Sequence, residues 1–583
     1  MSAPRLNDPQ SEIASALALC RRAFIGVGLF SGMINILMLT GSLYMLELYD
    51  RVLPSRSIPT LLGLSFIVLV LYGFQAGLDM VRARIMLRVG VALDEALGLR
   101  VYDAIIRLPL KASAGGAGLQ PLRDLDQLRA FLSGSGPSAL FDLPWMPLYL
   151  GLCFVFHFWL GITALLGTIG LVGLTLMMEF KTRGPIRQSA EFGQLRNALA
   201  ESARRNAEVL RAMGMGRRMA ALWSDANRNY LDSLARAGDA SGDVGAISKV
   251  ARMALQSAVL GVGAYLVIQQ DATAGVMIAA SILASRGLAP VDLAIANWKG
   301  FVGARQSRER LDNLLRLLPK EREPMELPKP SVMFSVDAVS VVPPGGTQAV
   351  VHDVTFALKS GQALGVIGPS ASGKSCLARA LVGVWQPLRG KVRLDRAALE
   401  QLAPEVRGRH IGYLPQDVEL LDGTVAENIS RFAIDPNPAD IVAAAKAAGV
   451  HDLILFLPDG YETRVGENGA AISAGQRQRI GLARALYGNP FLVVLDEPNS
   501  NLDSDGEQAL TEAILNVRAR GGVLVVIAHR PSALAGVDQV LVMGAGRVVT
   551  WGPKDEVLGK VLRQPAAPAS PLRVVADRHG GAS

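Results

Sequence analysis

Eight residues, Gly368-Pro369-Ser370-Ala371-Ser372-Gly373-Lys374-Ser375, spell G-x-x-x-x-G-K-S. That spacing suits a loop that cradles phosphate. An apolar run, Ala363 to Ile367, leads into it, and a helix-compatible run, Cys376 to Val382, follows. The loop therefore joins a strand to a helix, the context such a loop needs. Gly368 and Gly373 allow backbone angles that turn successive N–H groups inward as a nest for anionic oxygens. The N-terminus of the following helix adds its positive dipole end. Lys374 can reach the β- and γ-phosphates, and the Ser375 hydroxyl can ligate Mg²⁺. A glycine-rich turn matching by chance would not need these flanks.

Downstream, further parts of a nucleotide machine appear in order. Phe491 to Pro498 reads F-L-V-V-L-D-E-P, a buried strand ending in two carboxylates. Asp496 at its end can hold Mg²⁺ through water, and Glu497 can polarise an attacking water as a general base. A second apolar strand, Val523 to Ala528, ends at His529, placed to touch a γ-phosphate. Gln416, after Tyr413-Leu414-Pro415, offers an amide oxygen to metal and water. Ser473, Ala474, Gly475 and Gln476 open a helix, where hydroxyl and backbone N–H groups form a second anion site. Each piece alone is weak: strands ending in Asp-Glu are common and a lone histidine is more often structural. Their order carries the reading.

The elements that must hold these residues fall into two halves. Of the 583 residues, half are hydrophobic and only 19% charged, and the mean hydropathy is +0.30, high for a soluble chain of this size. The net charge of +8 comes with no DNA- or RNA-binding motif. The excess arginine instead flanks apolar spans, as in cytoplasmic loops of membrane proteins. Cys20, Cys153 and Cys376 are scattered and suggest neither a disulfide framework nor a thiolate metal site.

Six membrane helices are expected. Ala23 to Leu46 and Ile58 to Leu78 are uncharged, and Leu143 to Met178 has no Asp, Glu, Lys or Arg and is long enough for two spans turning near His157 to Gly161. Met253 to Gln270 is the fifth, and Ala272 to Trp298, interrupted by Arg286 and Asp292, the sixth. Those two charges either line a polar interior path or sit at the end of an over-long helix. Two long Arg-rich helical segments between spans mark the cytoplasmic side, with both chain ends inside.

The expected fold is thus an α-helical six-span transmembrane domain followed by an α/β P-loop domain. The expected boundaries are a tail over 1–20, the membrane domain over 21–318, a Pro-rich linker over 319–332, the nucleotide-binding domain over 333–562 and a disordered tail over 563–583.

The ordered set resembles the ATPase of ABC transporters: Walker A at Gly368 to Ser375, Q-loop at Gln416, signature at Ser473 to Gln476, Walker B at Leu495 to Glu497, D-loop at Ser500 to Asp503 and switch histidine at His529. In that family two such domains pair head to tail, and the signature of one completes the ATP site of the other, which implies a homodimer. Thr463-Arg464-Val465-Gly466-Glu467 resembles the exporter X-loop that touches coupling helices of the membrane domain. Ala474 stands where the signature usually has its first glycine, and no aromatic residue lies in Val341 to Pro344, where such exporters stack adenine.

In the membrane half, Leu48-Tyr49-Asp50-Arg51-Val52-Leu53-Pro54-Ser55, Phe141-Asp142-Leu143-Pro144-Trp145-Met146-Pro147, Glu208 to Met215 and Arg286-Gly287-Leu288-Ala289-Pro290 resemble type I secretion ATPases. The likeness is to the type exporting metalloproteases and RTX proteins; some relatives carry an N-terminal peptidase or peptidase-like domain, and with only the short 1–20 tail before the first span none is expected here, nor cleavage of a leader peptide. It implies an ATP-hydrolysing, Mg²⁺-dependent exporter of the bacterial inner membrane. Its partners would be a periplasmic adaptor (membrane fusion) protein, an outer-membrane channel, and a secreted protein with an uncleaved C-terminal signal. Two other readings stand beside it: an exporter of lipid, drug or peptide, and a non-hydrolysing ATP-gated channel or regulator, which would have no need of Glu497 and His529.

Overall fold

The computed structural model describes residues 11–111, 118–320, 327–466, 469, 471–529 and 531–563. The chain divides into two compact units near residue 320. The expected tail beyond 563, residues 112–117 of the break after the second span, residues 321–326 of the linker and Glu467 of the X-loop segment lie outside the described residues.

Among the described residues of the first unit, six helices are long and apolar enough to cross a membrane: Arg21–Ser55, Ile58–Lys111, Gly136–Phe156, Phe158–Arg205, Gly216–Ile268 and Ala274–Ala296. Apolar surroundings offer backbone groups no water, so a continuous helix, which satisfies them internally, is the form such runs take. The second helix turns Leu62, Phe66 and Leu69 outward as a hydrophobic face. Three of these helices run 48 to 54 residues. At ~1.5 Å per residue that is ~70–80 Å, more than twice a hydrocarbon core of ~30 Å. Their charged portions, expected as separate helical segments, simply continue the spans. The turn expected near His157 is there: His157 is extended and its Nδ1 accepts from the Trp159 N–H at 3.3 Å, capping the next helix.

Polar groups tie these helices together. Arg82 donates to both oxygens of Asp142 at 3.0 and 3.1 Å, to Asp79 at 2.8 Å and to Ser31 at 3.1 Å. Asn35 donates to Asp142 at 2.9 Å, and the Tyr149 hydroxyl donates to the Asn35 carbonyl at 2.8 Å. Asp50 accepts from Thr273 at 2.6 Å and from the Gly275 N–H at 2.9 Å, so the Leu48–Ser55 motif caps the sixth helix. Asp292 pairs with Arg252 of the fifth helix at 2.9 Å, whereas Arg286 is exposed and makes no ion pair among the described residues. The two interrupting charges of the sixth span are therefore not alike.

The polar tail expected over 1–20 differs in its second half. Glu12–Leu19 is a helix that buries Ile13 and Ala16 in a cluster with Leu93, Leu97, Leu311 and Leu315. Glu12 accepts from Arg100 at 3.0 Å, and Ser11 bonds Asp312. The helix itself reads E-I-A-S-A-L-A-L and is mostly apolar, and Ile13 and Ala16 are the residues it buries.

Among its described residues the second unit holds ten strands: β1 Met333–Val341, β2 Val351–Lys359, β3 Ala363–Ile367, β4 Arg389–Leu394, β5 Ala397–Ala398, β6 Ile411–Leu414, β7 Leu492–Asp496, β8 Val523–Ile527, β9 Gln539–Gly544 and β10 Arg547–Pro553. Four form an antiparallel sheet in the order β2-β1-β4-β5. Six form the main sheet in the order β10-β9-β3-β8-β7-β6, parallel from β9 to β6. β7 and β8 are buried at every residue, which explains their unbroken apolar sequences.

Candidate functional site

The strand order assembles the site. In parallel sheets, ligands bind beyond the carboxyl ends of the strands. Here four neighbours, β3, β8, β7 and β6, end side by side. The phosphate loop follows β3, His529 follows β8, Asp496 and Glu497 end β7, and Gln416 follows β6. Residues 160 positions apart in sequence are thus brought to one edge.

The loop at Gly368 to Ser375 has the conformation its glycines were expected to allow. Gly368 has φ 155° and Gly373 φ 93°. A Cβ on Gly368 would lie 2.2 Å from the Met543 carbonyl oxygen, and one on Gly373 would lie 2.8 Å from that of Val350. Backbone packs where a side chain would be. Between them, Pro369, Ser370 and Ala371 carry the turn, with Ala371 itself left-handed at φ 64°. Ser372 Oγ is buried without a hydrogen-bond partner, a polar atom left for a ligand oxygen. Lys374 opens the helix Lys374–Leu381, and its Nζ lies over the loop, donating to the Gly368 and Pro369 carbonyls at 2.9 and 2.8 Å. Burial pushes its pKa down, and the nearby Glu497 and Asp496 pull it partly back.

Ser375 Oγ lies 3.3 Å from Asp496 Oδ1. Asp496 is 1% exposed. Burial raises its pKa, the Ser375 hydrogen bond opposes the rise, and Glu497 adds to it. A buried carboxylate beside a hydroxyl, with no cation in hydrogen-bond reach among the described residues, is the hard-oxygen donor set that suits Mg²⁺ once phosphate and water oxygens complete it.

Glu497 is held at both oxygens. His529 Nε2 lies 2.9 Å from Oε1, and Gln416 Nε2 donates to Oε2 at 3.2 Å. Its backbone is left-handed, φ 48°, and its N–H donates to the Ile527 carbonyl at 3.0 Å. The side chains of Glu497 and His529 stay 22% and 38% exposed, so water reaches them. A carboxylate fixed by two neighbours yet open to solvent can take a proton from water.

Ser473, Ala474, Gly475 and Gln476 stand apart from this cluster. Ser473 caps the helix Ala474–Leu486, and its side chain and that of Gln476 form a reciprocal capping box. Among the described residues no hydrogen bond links them to the phosphate loop of their own chain. The helix is instead fastened to the segment after Glu497. Gln478 donates to the Pro498 carbonyl at 3.1 Å, Arg479 bonds Asp503, and a Cβ on Gly475 would lie 3.0 Å from the Asn501 carbonyl oxygen. Sequence reasoning did not find Gln478 or Arg479, whose partners are set by tertiary packing; only their place on the helix opened by Ser473 could have pointed to them. The Val341 to Pro344 stretch offers apolar side chains and a turn closed by the Gly346 N–H on the Pro343 carbonyl.

Residues 351–500 match the family model described as ABC transporter, and residues 24–288 match that of the ABC transporter transmembrane region. The type I secretion system ATP-binding protein PrsD of Rhizobium meliloti is 55% identical over 97% of each chain. The cyclolysin secretion/processing ATP-binding protein CyaB of Bordetella pertussis and the alpha-hemolysin translocation ATP-binding protein HlyB of Escherichia coli are each 28% identical. Those two matches cover 92% and 94% of this chain, and 76% and 78% of the relatives. A bacterial Atm1-family ABC exporter solved with ATP bound shares the fold, with a TM-score of 0.78 over 95% of this chain and all of that one, at 22% identity.

Proposed function

The chain belongs to the type I secretion branch of the ABC transporters, and from that premise we propose how its residues work. It is a multi-pass membrane protein that binds and hydrolyses ATP to drive protein secretion. The observation that carries the assignment of chemistry is Glu497, gripped by His529 and Gln416 beside the phosphate loop.

In this reading the backbone N–H groups from Gly368 to Gly373 receive the phosphates, and Lys374 leaves its loop carbonyls for the β- and γ-phosphate oxygens. Ser375, Gln416 and Asp496 would hold Mg²⁺, which supplies neutralisation of phosphate charge. Glu497 accepts the proton of the attacking water, and His529 fixes Glu497 and senses the γ-phosphate. Ser473, Ala474, Gly475 and Gln476 serve the site of a second copy, so two chains form two sites. Ala474 keeps the backbone N–H that the usual glycine would offer, so the anion contact survives; adenine rests on apolar side chains alone.

The membrane is the bacterial inner membrane, with the nucleotide-binding domain in the cytoplasm. A periplasmic adaptor and an outer-membrane channel continue the path, and the cargo is a protein with a C-terminal signal. The test is the secreted proteome of cells carrying the wild-type gene, no gene, or Glu497→Gln. The same protein should vanish from the medium in the last two. An unchanged medium without the gene would overturn protein export.

A further inference from the structure

At the start of β6, the end away from Gln416, lies a cavity of about 810 Å³. It shares no residue with the phosphate loop. Lys329, Arg409, His410, Arg431 and Arg484 line it, against the one carboxylate of Glu405. Among the described residues, none of the four Lys and Arg side chains makes an ion pair. Arg431 donates only to carbonyls, those of Arg484, Ala485, Ile411 and Gly408. Arg484 donates to the Glu419 carbonyl at 3.1 Å. Carbonyl dipoles hold these guanidiniums in place but leave their charges uncancelled.

The like charges feel one another. Burial, and after it the neighbouring Arg484, lower the Arg431 pKa to about 10. His410 is lowered by burial and then by Lys329 and Arg409. Cations gathered in one concavity raise the free energy of the empty site and repay it when an anion enters. The other wall is aromatic: Tyr413, Tyr487 and Phe491, all half-buried, give flat apolar surface beside the charge. The volume lies within the ~300–1,000 Å³ typical of small-ligand sites.

We propose that this cavity is a second, non-hydrolytic nucleotide site, taking a phosphorylated ligand with an aromatic ring. Its phosphates meet Lys329, Arg409 and Arg484, and its ring lies against Tyr487 and Phe491. The site has no carboxylate pair and no glycine loop, so it binds without turnover.

The experiment uses the full chain in lipid nanodiscs, with methylanthraniloyl-labelled AMP and GMP as probes. In a Lys374→Ala background, which disables the phosphate loop, at least one probe should saturate at one site per chain. Adding Lys329→Ser and Arg409→Ser should weaken that binding at least tenfold. The same two changes with Lys374 intact should leave ATP hydrolysis at the wild-type rate, which shows the domain folded. Unlabelled nucleotide should displace the probe better than equimolar inorganic pyrophosphate. Absence of saturable binding with Lys374→Ala would overturn the proposal. So would binding indifferent to the two rim changes, or displacement by pyrophosphate equal to that by nucleotide.

Discussion

At the scale of single residues, position beyond a parallel strand decides role. Glu497→Gln keeps shape and loses the base. Turnover should fall roughly 10²–10⁴-fold while labelled ATP still binds, as read by steady-state hydrolysis beside equilibrium binding. Unchanged hydrolysis would remove Glu497 from its role. A second residue sets a pH dependence. Asp395 accepts three N–H bonds, from Ser331, Val332 and Met333, at 3.0, 2.9 and 2.8 Å. Burial alone would raise its pKa, but the three donors win and hold it below the usual carboxylate range. A depressed carboxylate stabilises the fold above its unfolded value of about 4, and the contribution is lost as pH falls through the lower folded value. Asp395→Ala should therefore lower the thermal midpoint at pH 7, and the gap should narrow as the pH falls below about 4; a gap that does not narrow would contradict the charge argument. The local motifs were legible because they are contiguous: the phosphate loop, the Asp-Glu strand end and the Ser473 cap each occupy a few neighbouring positions. What Glu497 touches was not legible, since Gln416 is 81 residues away.

At the scale of elements, glycine packing and buried ion pairs set what can change. Gly368→Ala would drive a methyl into the Met543 carbonyl and strain a φ of 155°. ATP binding should fall at least tenfold, whereas Gly559→Ala, with nothing within 4 Å of the added carbon, should bind as wild type. Arg82 and Asp142 are about nine-tenths buried as a pair across helices. Asp142→Ala removes the buried partner and leaves the guanidinium only the more exposed Asp79, so it should cost at most about 3–5 kcal/mol, read as a drop in thermal midpoint. The double change Arg82→Met with Asp142→Leu should recover most of it; failure to do so would mean that the pair supplies more than charge balance. The spans were legible from uncharged runs alone. Their joins were not, because Arg82 and Asp142 lie in a charged, helix-patterned segment outside those runs, 60 positions apart, and Asp50 meets Thr273 across 223 positions. Nor did reading 1–20 as one polar tail reveal the helix Glu12–Leu19, whose burial depends on Ile13 and Ala16 falling on one face.

At the scale of the whole molecule, the separation of Ser473 from the phosphate loop of its own chain is the feature the account turns on. The sequence order showed both halves of an ATP site; only the fold shows the signature helix anchored to Pro498 and Asp503 instead of to the loop. In the function we propose, a second copy supplies the other half. The direct measurement is a disulfide cross-link in membranes. Cys20, Cys153 and Cys376 are replaced by serine, Ser473 and Ser370 by cysteine, and Glu497 by glutamine to hold ATP. The account predicts a covalent dimer that forms rapidly with ATP and Mg²⁺ and slowly without them. A cross-link that never forms, forms within one chain, or ignores ATP would contradict it.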